Sequence, residues 1–239
     1  MNGRPVAASD QPASGADHLH LADWRRRVAD LYAAVRSESA QDPEAAWRRW
    51  REIREELFRS HPQSPVPVAD RATFRARHWA YDSRLRLEAT LAPADAEADA
   101  LGTFGGLGGP VEPLVGGYTL ALPVSTGGEQ DFTRIGFLDV PFASGSRRLG
   151  LYWMAGYAGG LFLPFRDATS GRETYGAGRY LLDAAKSADL GPGATPGSLV
   201  LDFNFSFQPS CAFDPRWSCP LAPPENRLDI RIEAGERLA

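Results

Sequence analysis

The sequence contains no long apolar run. No stretch approaches the roughly 20 consecutive apolar residues that a helix needs to cross a bilayer. The N-terminal segment MNGRPVAASDQPASGADHLH has no apolar core of the kind found in signal peptides. We therefore expect a cytoplasmic protein. Gly, Ala, Pro, Ser and Asp dominate residues 1–17, which predicts a disordered tail.

Lysine is nearly absent, and positive charge is not in excess. Lys186 is the only lysine among 26 lysine and arginine residues, and the formal net charge is −4. This charge gives no reason to expect binding to nucleic acid or to an anionic membrane. Between residues 21 and 60, arginines and carboxylates interleave at helical spacing, which is typical of a solvated helix face. We therefore expect neither nucleic acid nor membrane as a partner.

Cysteine occurs only twice, as Cys211 and Cys219, within PSCAFDPRWSCPLAPPENRL (residues 209–228, the Cys-Pro loop). Four interpretations compete, in this order: buried free thiols, a disulfide, a metal site and a catalytic nucleophile. A disulfide would add about 2–4 kcal/mol but needs oxidising surroundings. A metal site needs two further ligands, and all four histidines are remote in sequence. A nucleophile needs a base, and only His61 and His78 lie in segments expected to be ordered. We predict no metal site, and the sequence assigns no cofactor.

Two amphipathic helices are predicted over residues 18–62. In LADWRRRVADLYAAVRSE, apolar residues recur at alternating steps of three and four. The second helix begins at DPEAAWRRWREIREELF, where Asp42 can cap the helix and Pro43 suits its first turn. The short connection predicts an antiparallel hairpin, whose tryptophans pack on the rest of the molecule or dock a partner: Trp24, Trp47 and Trp50.

Beyond residue 79 the hydrophobic period changes to two. RLRLEATL alternates between apolar and polar residues. Further strands are predicted at YTLALPV, TRIGFLDV, RLGLYWM, GLFLPF, GRYLLDA, SLVLDFNFSF and RLDIRIEA. LGTFGGLGGPVEPLVGG lacks the strand–helix context of a phosphate loop and reads as a turn-rich link. The pattern predicts a mainly β (α+β) protein: an antiparallel β-barrel or two-sheet sandwich over residues 63–239, with the helical hairpin packed against it.

Polar residues follow one face of the predicted strand LVLDFNFSFQ. Asp202 and Asn204 alternate with phenylalanines, as Ser206 and Gln208 do. Either this face meets solvent, or it lines a barrel mouth where Asp202 and Asn204 bind a ligand.

The segment LPFRDATSGRETYGAGRYL carries a second candidate. Asp167 can cap its own turn, and Tyr175 and Arg179 flank two glycines. Glycine permits close approach of a ligand, and arginine can grip a carboxylate or phosphate with two hydrogen bonds. The alternative is a bulged strand entry in which Arg179 pairs with an internal carboxylate.

The Cys-Pro loop is the third candidate. Loops of this length are uncommon in compact domains unless they are functional or disordered, and its prolines and apolar residues argue against disorder. Glu225, Asn226 and Arg227 stand behind two prolines that stiffen the approach. These three residues bind a polar ligand, or they satisfy one another and the backbone of the loop. We expect Asp167, Cys211 and Cys219 to have structural roles in these loops.

Several long motifs resemble a prokaryotic domain-of-unknown-function family, number 1684 in that series. They include DPEAAWRRWREIREELFRSHPQSP, YDSRLRLEA, LPFRDATSGRETYGAGRYLLDA, LDFNFSFQPSCAF and CPLAPPENRLDIRIEAGE. The resemblance covers roughly residues 21 to 236 and implies no established reaction. It does imply that the Asp167 turn, the Tyr-Gly-x-Gly-Arg-Tyr run, the Leu-Asp-Phe-Asn strand and the Cys-Pro loop belong to the family pattern.

Three functional hypotheses follow. The leading one is a protein that binds a small polar or anionic molecule at one end of the β domain, through Tyr175, Arg179, Asn204, Glu225, Asn226 and Arg227. The second is a hydrolase or transferase that uses a loop cysteine, or Asp202 or Glu225 as acid and base. The third is an interaction module that binds a partner through the helical hairpin.

Overall fold

The computed structural model describes residues 14–93, 118–156 and 159–238. The predicted tail as far as residue 13 and the glycine-rich link at residues 101–117 lie outside the described residues. In the part that is described, no helix is both long and apolar enough to cross a membrane.

The helical hairpin is present as predicted. Helix α1 spans Gly15–Ser39 and α2 spans Pro43–Ser60. Helix α1 begins inside the segment that composition assigned to the tail, because Ser14 and Asp17 form a capping box there. Asp42 caps α2 by accepting a 2.9 Å hydrogen bond from the backbone N–H of Ala45.

Nine strands follow the hairpin. They are β1 (Arg77–His78), β2 (Arg86–Pro93), β3 (Tyr118–Pro123), β4 (Glu129–Phe142), β5 (Gly145–Met154), β6 (Leu161–Phe165), β7 (Arg179–Asp183), β8 (Ser198–Asp202) and β9 (Glu236–Arg237). Seven of them form one antiparallel sheet in the order β7-β6-β5-β4-β2-β8, with β3 beside β4 on the edge that β2 also uses. Strands β1 and β9 form a separate two-stranded ribbon.

The sheet curls into a half-barrel, and its two outer strands are linked. After β8 the chain makes a 3₁₀ turn over Phe203–Phe205. Phe207 then exchanges hydrogen bonds with Tyr180 of β7, at N···O distances of 2.9 and 3.0 Å. The mainly β architecture with a packed helical hairpin is therefore confirmed.

Two of the predicted strands are shorter than their alternating patterns suggested. The strand at residues 198–207 ends at Asp202, because the Asp202 carboxylate accepts a 3.0 Å hydrogen bond from the backbone N–H of Asn204 and so favours a local turn. Residues 227–235 form no ladder. Their backbone bonds to buried side chains instead, as in the 2.6 Å bond from Ile232 N to Asp167 Oδ2.

The hairpin packs against the half-barrel through its tryptophans. Trp50 is fully buried, and its ring lies 5.3 Å from that of Phe205. Trp47 donates a 2.9 Å hydrogen bond from Nε1 to the carbonyl of Asn204. A second apolar cluster fills the interior of the half-barrel and includes Leu138, Leu149, Phe165 and Phe203.

Candidate functional site

The Cys-Pro loop is folded onto one end of the sheet. Its Cys219 segment pairs with the β3–β4 turn: Ser125 N donates to Cys219 O at 2.9 Å, and Cys219 N donates to Ser125 Oγ at 3.0 Å. Leu221 N donates to Pro123 O at 2.9 Å, and the Tyr180 hydroxyl donates to the carbonyl of Pro220. The loop is therefore an ordered cover over this end of the half-barrel.

A cavity of about 350 Å³ lies beneath this cover, between the start of α1 and strands β5 to β7. Apolar and aromatic side chains form most of its wall, among them Trp24, Met154, Phe162, Tyr180 and Trp217. Its polar lining includes Arg25, Asp183, Lys186, Ser210 and Cys219. We call this space the loop cavity.

The charged groups of the loop cavity leave an excess of positive charge. Lys186, the only lysine, places Nζ 3.1 Å from Asp183 Oδ2. The same ammonium lies 5.3 Å from the centre of the Tyr180 ring and 5.1 Å from that of Phe207. Arg25 adds a second cation, so two cations face one carboxylate in the lining.

The two cysteines meet beside this cavity as free, buried thiols. Cys211 N donates a 3.3 Å hydrogen bond to Cys219 Sγ. The Cys219 thiol also hydrogen-bonds the sulfur of Cys211, which lowers the pKa of Cys211 despite burial and raises the pKa of Cys219. Ser125 and Tyr175 add further hydrogen bonds that lower the pKa of Cys211.

Tyr175 therefore belongs to the cysteine cluster. Its backbone N–H donates to Gln208 Oε1 at 3.2 Å. Burial and the hydrogen bond to Cys211 raise the pKa of Tyr175 to about 12, so its hydroxyl stays protonated at neutral pH.

Arg179 is buried and holds backbone from the C-terminal segment. Its guanidinium donates to the carbonyls of Ala234, Glu236 and Ile232, the last at 2.9 Å. It also lies 3.5 Å from the Asp167 carboxylate. Burial lowers the pKa of Arg179 to about 10, where it is still charged at neutral pH. This arrangement matches the alternative interpretation, in which Arg179 pairs with an internal carboxylate.

Asn204 and Asp202 are buried rather than placed at an open barrel mouth. Asn204 Nδ2 donates to the carbonyl of Asp82 at 2.8 Å, and its Oδ1 accepts from Asp82 N at 2.9 Å. Asp202 contacts Tyr81 and Arg86 at 3.1 and 3.2 Å. Burial raises the pKa of Asp202, although hydrogen bonds from Asn204 and the charge of Arg86 oppose the shift.

The Glu-Asn-Arg triplet divides among three environments. The Asn226 amide is fully buried and bonds Gly150 N, Gly150 O and Pro164 O at 2.7, 2.9 and 2.7 Å. Glu225 accepts hydrogen bonds from Tyr152 at 2.5 Å and Arg134 at 3.2 Å. Arg227 is exposed. The triplet therefore satisfies mainly its own surroundings.

The predicted site residues do not share one cavity. Of the side chains that line the loop cavity, the sequence had drawn attention only to Cys219, Tyr180, Trp24 and Trp217. Lys186 and Asp183 were missed, because each looks like an ordinary polar residue after a strand. The one signal that could have identified Lys186 is that it is the only lysine in an arginine-rich chain.

A comparison with protein families gives a match over residues 74–237 to the model described as "Protein of unknown function (DUF1684)". The chain belongs to the DUF1684 family. Its fold is similar to the solution NMR structure of an uncharacterized protein from Haloarcula marismortui, with a TM-score of 0.55 and 27% sequence identity. That alignment covers 84% of this DUF1684 protein and 97% of the archaeal chain. A comparison with the curated proteins finds no match. The family and the neighbour supply a fold, and the chemistry of this DUF1684 protein is argued from its own side chains.

Proposed function

We propose that this DUF1684 protein binds a small organic anion with an aromatic or aliphatic body in the loop cavity. The observation that carries the proposal is the combination of an enclosed, mostly apolar wall with Lys186 at its charged side. Small-molecule sites are typically concave, mostly apolar and about 300–1,000 Å³ in volume, with a few convergent polar groups. The loop cavity, at about 350 Å³, falls within this range.

The charge of the lining supports an anion over a cation. Lys186 and Arg25 together exceed the charge of Asp183 by one. An anionic group that replaces part of the Asp183 contact gains charge-assisted hydrogen bonds from the Lys186 ammonium. The aromatic rings of Trp24, Phe162 and Trp217 offer contact area to an apolar body.

Two matched dyes test this proposal. Anilinonaphthalene sulfonate carries an anionic group on an aromatic body, and phenylnaphthylamine is its uncharged counterpart. We expect both dyes to bind the folded protein. Lys186→Gln should weaken sulfonate binding about tenfold, since a hydrogen bond to a charged group contributes about 1.5–3 kcal/mol. Phenylnaphthylamine binding should change little, and Asp183→Asn should strengthen sulfonate binding. Fluorescence titration gives the dissociation constants.

The control removes the same charge elsewhere. Arg84→Gln alters an exposed cation that pairs with Asp82, and sulfonate affinity should be unchanged. Ala185→Trp, at an exposed position of the lining, should block both dyes by filling the cavity. Near-UV circular dichroism checks that each variant stays folded. Equal sulfonate affinity in the Lys186 and Arg84 variants would contradict the proposal.

The interaction-module hypothesis finds less support in the packing. Trp47 and Trp50 are buried within the molecule, and Trp24 stacks on Phe58 at a ring distance of 6.0 Å. These side chains already fill the contact between the hairpin and the half-barrel, so they do not form a free docking surface.

A further inference from the structure

The cysteine cluster contains two thiols in mutual contact, close to the wall of a cavity. Cys211 starts the contact from a 3₁₀ turn over Ser210–Ala212, and Cys219 is held by the β3–β4 turn through Ser125. The segment between the cysteines returns on itself, with Ser125 Oγ donating to the carbonyl of Trp217 at 3.0 Å. The fold therefore brings the two sulfur atoms together without a covalent bond.

The surroundings of the thiols suit sulfur chemistry better than acyl transfer. All four histidines lie among the described residues, and the two buried ones have other neighbours. His61 contacts Asp23 at 3.2 Å, and His78 lies between Trp47 and Trp50. A cysteine nucleophile that attacks a carbonyl group requires a base at hydrogen-bond distance. The groups that hydrogen-bond Cys211 are instead a second thiol and the hydroxyls of Ser125 and Tyr175.

The loop cavity gives small molecules a route to the pair. Ser210, which precedes Cys211, lines the cavity wall, as does Cys219. Lys186 lines the same cavity, and its charge acts on the Cys219 sulfur. A positive charge beside a thiol favours its thiolate form and attracts anionic reagents.

We propose that Cys211 and Cys219 form a redox-active dithiol, which a low-molecular-weight disulfide reaching it through the loop cavity oxidises to an intramolecular disulfide. The Cys211 thiolate attacks one sulfur of the reagent, forms a mixed disulfide and releases the first small thiolate. Cys219 loses its proton to solvent and attacks the Cys211 sulfur. The intramolecular bond forms, and the second small thiolate leaves. Two electrons pass from the protein to the reagent, which becomes two thiols, and a dithiol reductant reverses the exchange.

Cys211 is the attacking residue. The hydrogen bond from Cys219 stabilises a negative charge on the Cys211 sulfur, and Tyr175 and Ser125 add to it. Cys219 gives up its hydrogen only after Cys211 has reacted, when the attacking partner has been consumed. The order predicts that the two cysteines behave differently when each is substituted alone.

Glutathione disulfide at neutral pH tests the proposal by intact-protein mass spectrometry. The native protein should lose the mass of two hydrogens, with no glutathione retained. Cys219→Ser keeps a hydrogen-bond donor beside Cys211 but removes the second attack, so it should retain one glutathionyl group. Cys211→Ser should react more than about tenfold slower than Cys219→Ser, since it lacks the activated thiolate. In denaturant the two single variants should react at the same rate.

The result that overturns the proposal is a folded protein that keeps both thiols under conditions that oxidise the denatured chain. Failure of Cys219→Ser to retain glutathione would also overturn it. The reaction needs no ligand in the loop cavity, and the dye experiment needs no oxidant, so either proposal can fail while the other stands.

Discussion

Individual buried side chains hold the irregular backbone of this protein. Arg179 binds three carbonyl groups of the C-terminal segment, and Asn226 binds two segments that otherwise have no ladder between them. Buried backbone groups need partners, and an unpaired one costs about 1–3 kcal/mol. A polar side chain that supplies several such partners therefore contributes more to stability than its exposed neighbours do.

Asn226→Ala should destabilise the fold by about 2–4 kcal/mol, because it leaves Gly150 N and Pro164 O buried without the Asn226 amide. Arg227→Ala, at the adjacent exposed position, should change the free energy of unfolding by no more than about 0.5 kcal/mol. Urea unfolding of both variants provides the measurement. Similar midpoints for the two would show that the Asn226 amide is dispensable.

The sequence could identify these residues but could not choose their partners. The alternation in LVLDFNFSFQ put Asn204 and Asp202 on one polar face, and both are polar side chains with defined contacts. Whether that face met solvent, a ligand or protein depended on Asp82, which lies more than a hundred positions earlier. Arg179 presents the same problem, because its carbonyl partners come from residues 232–236.

At the scale of elements, the β1–β9 ribbon lies beneath α2 and carries a charged cluster. Glu236 of β9 accepts hydrogen bonds from Arg54 of α2 at 2.5 and 3.1 Å. His78 of β1 lies 3.9 Å from the Glu236 carboxylate, and Arg51 and Arg54 also face it. Burial and the two arginines lower the pKa of His78 to about 4, although Glu236 opposes the shift. The folded protein therefore holds this imidazole neutral at pH values where an unfolded chain protonates it.

Stability should fall as the pH is lowered from about 6.5 to about 4. In this window the unfolded chain binds a proton at His78 and the folded chain does not, so the loss reaches roughly 3 kcal/mol. His78→Phe keeps a ring beside Trp47 and Trp50 and should remove most of this dependence. Urea unfolding across the pH range measures it. His20→Gln, at an exposed position, should keep the full slope, and a His78→Phe profile that follows it would contradict the assignment.

A second effect of the same cluster begins at lower pH. Burial tends to raise the pKa of Glu236, but the charge and hydrogen bond of Arg54 outweigh it, and the pKa is lowered overall. A lowered carboxyl pKa contributes stability above the unfolded value of about 4.3, and this contribution is lost as the pH falls through the folded value.

Strand periodicity was a better guide to the sheet than to the connections. The patterns at RLRLEATL and RLGLYWM correspond to β2 and β5, where neighbouring strands complete the ladder. RLDIRIEA alternates equally well but forms no strand, because its backbone groups bond to Arg179 and Asp167. Alternation specifies which side chains share a face, and the presence of a neighbouring strand decides whether a ladder forms.

For the whole molecule, the hairpin and the half-barrel share one apolar cluster. Trp50 and Val35 of the hairpin belong to the same cluster as Phe162 and Tyr180 of the sheet. We therefore expect helices and strands to unfold together. Trp50→Ala should cost about 3–5 kcal/mol and reduce hydrogen-exchange protection in β6 and β7 as much as in α2.

The control for this experiment is Arg48→Ala on the exposed side of α2, where a surface pair with Glu44 is removed. Its effect on protection should stay below about 1 kcal/mol everywhere. Loss of protection confined to α1 and α2 in the Trp50 variant would show instead that the hairpin unfolds independently.

The link between Phe207 and Tyr180 also affects how copies of the protein meet. Strands β7 and β8 would be the outer strands of an open sheet, with rows of N–H and C=O groups available to another chain. Phe207 and Ala188 occupy the free side of β7, while Gly191 and Gly193 bond to that of β8. These two strands therefore offer a second copy no template for strand addition, which is the usual route from a curled sheet to fibrous aggregates.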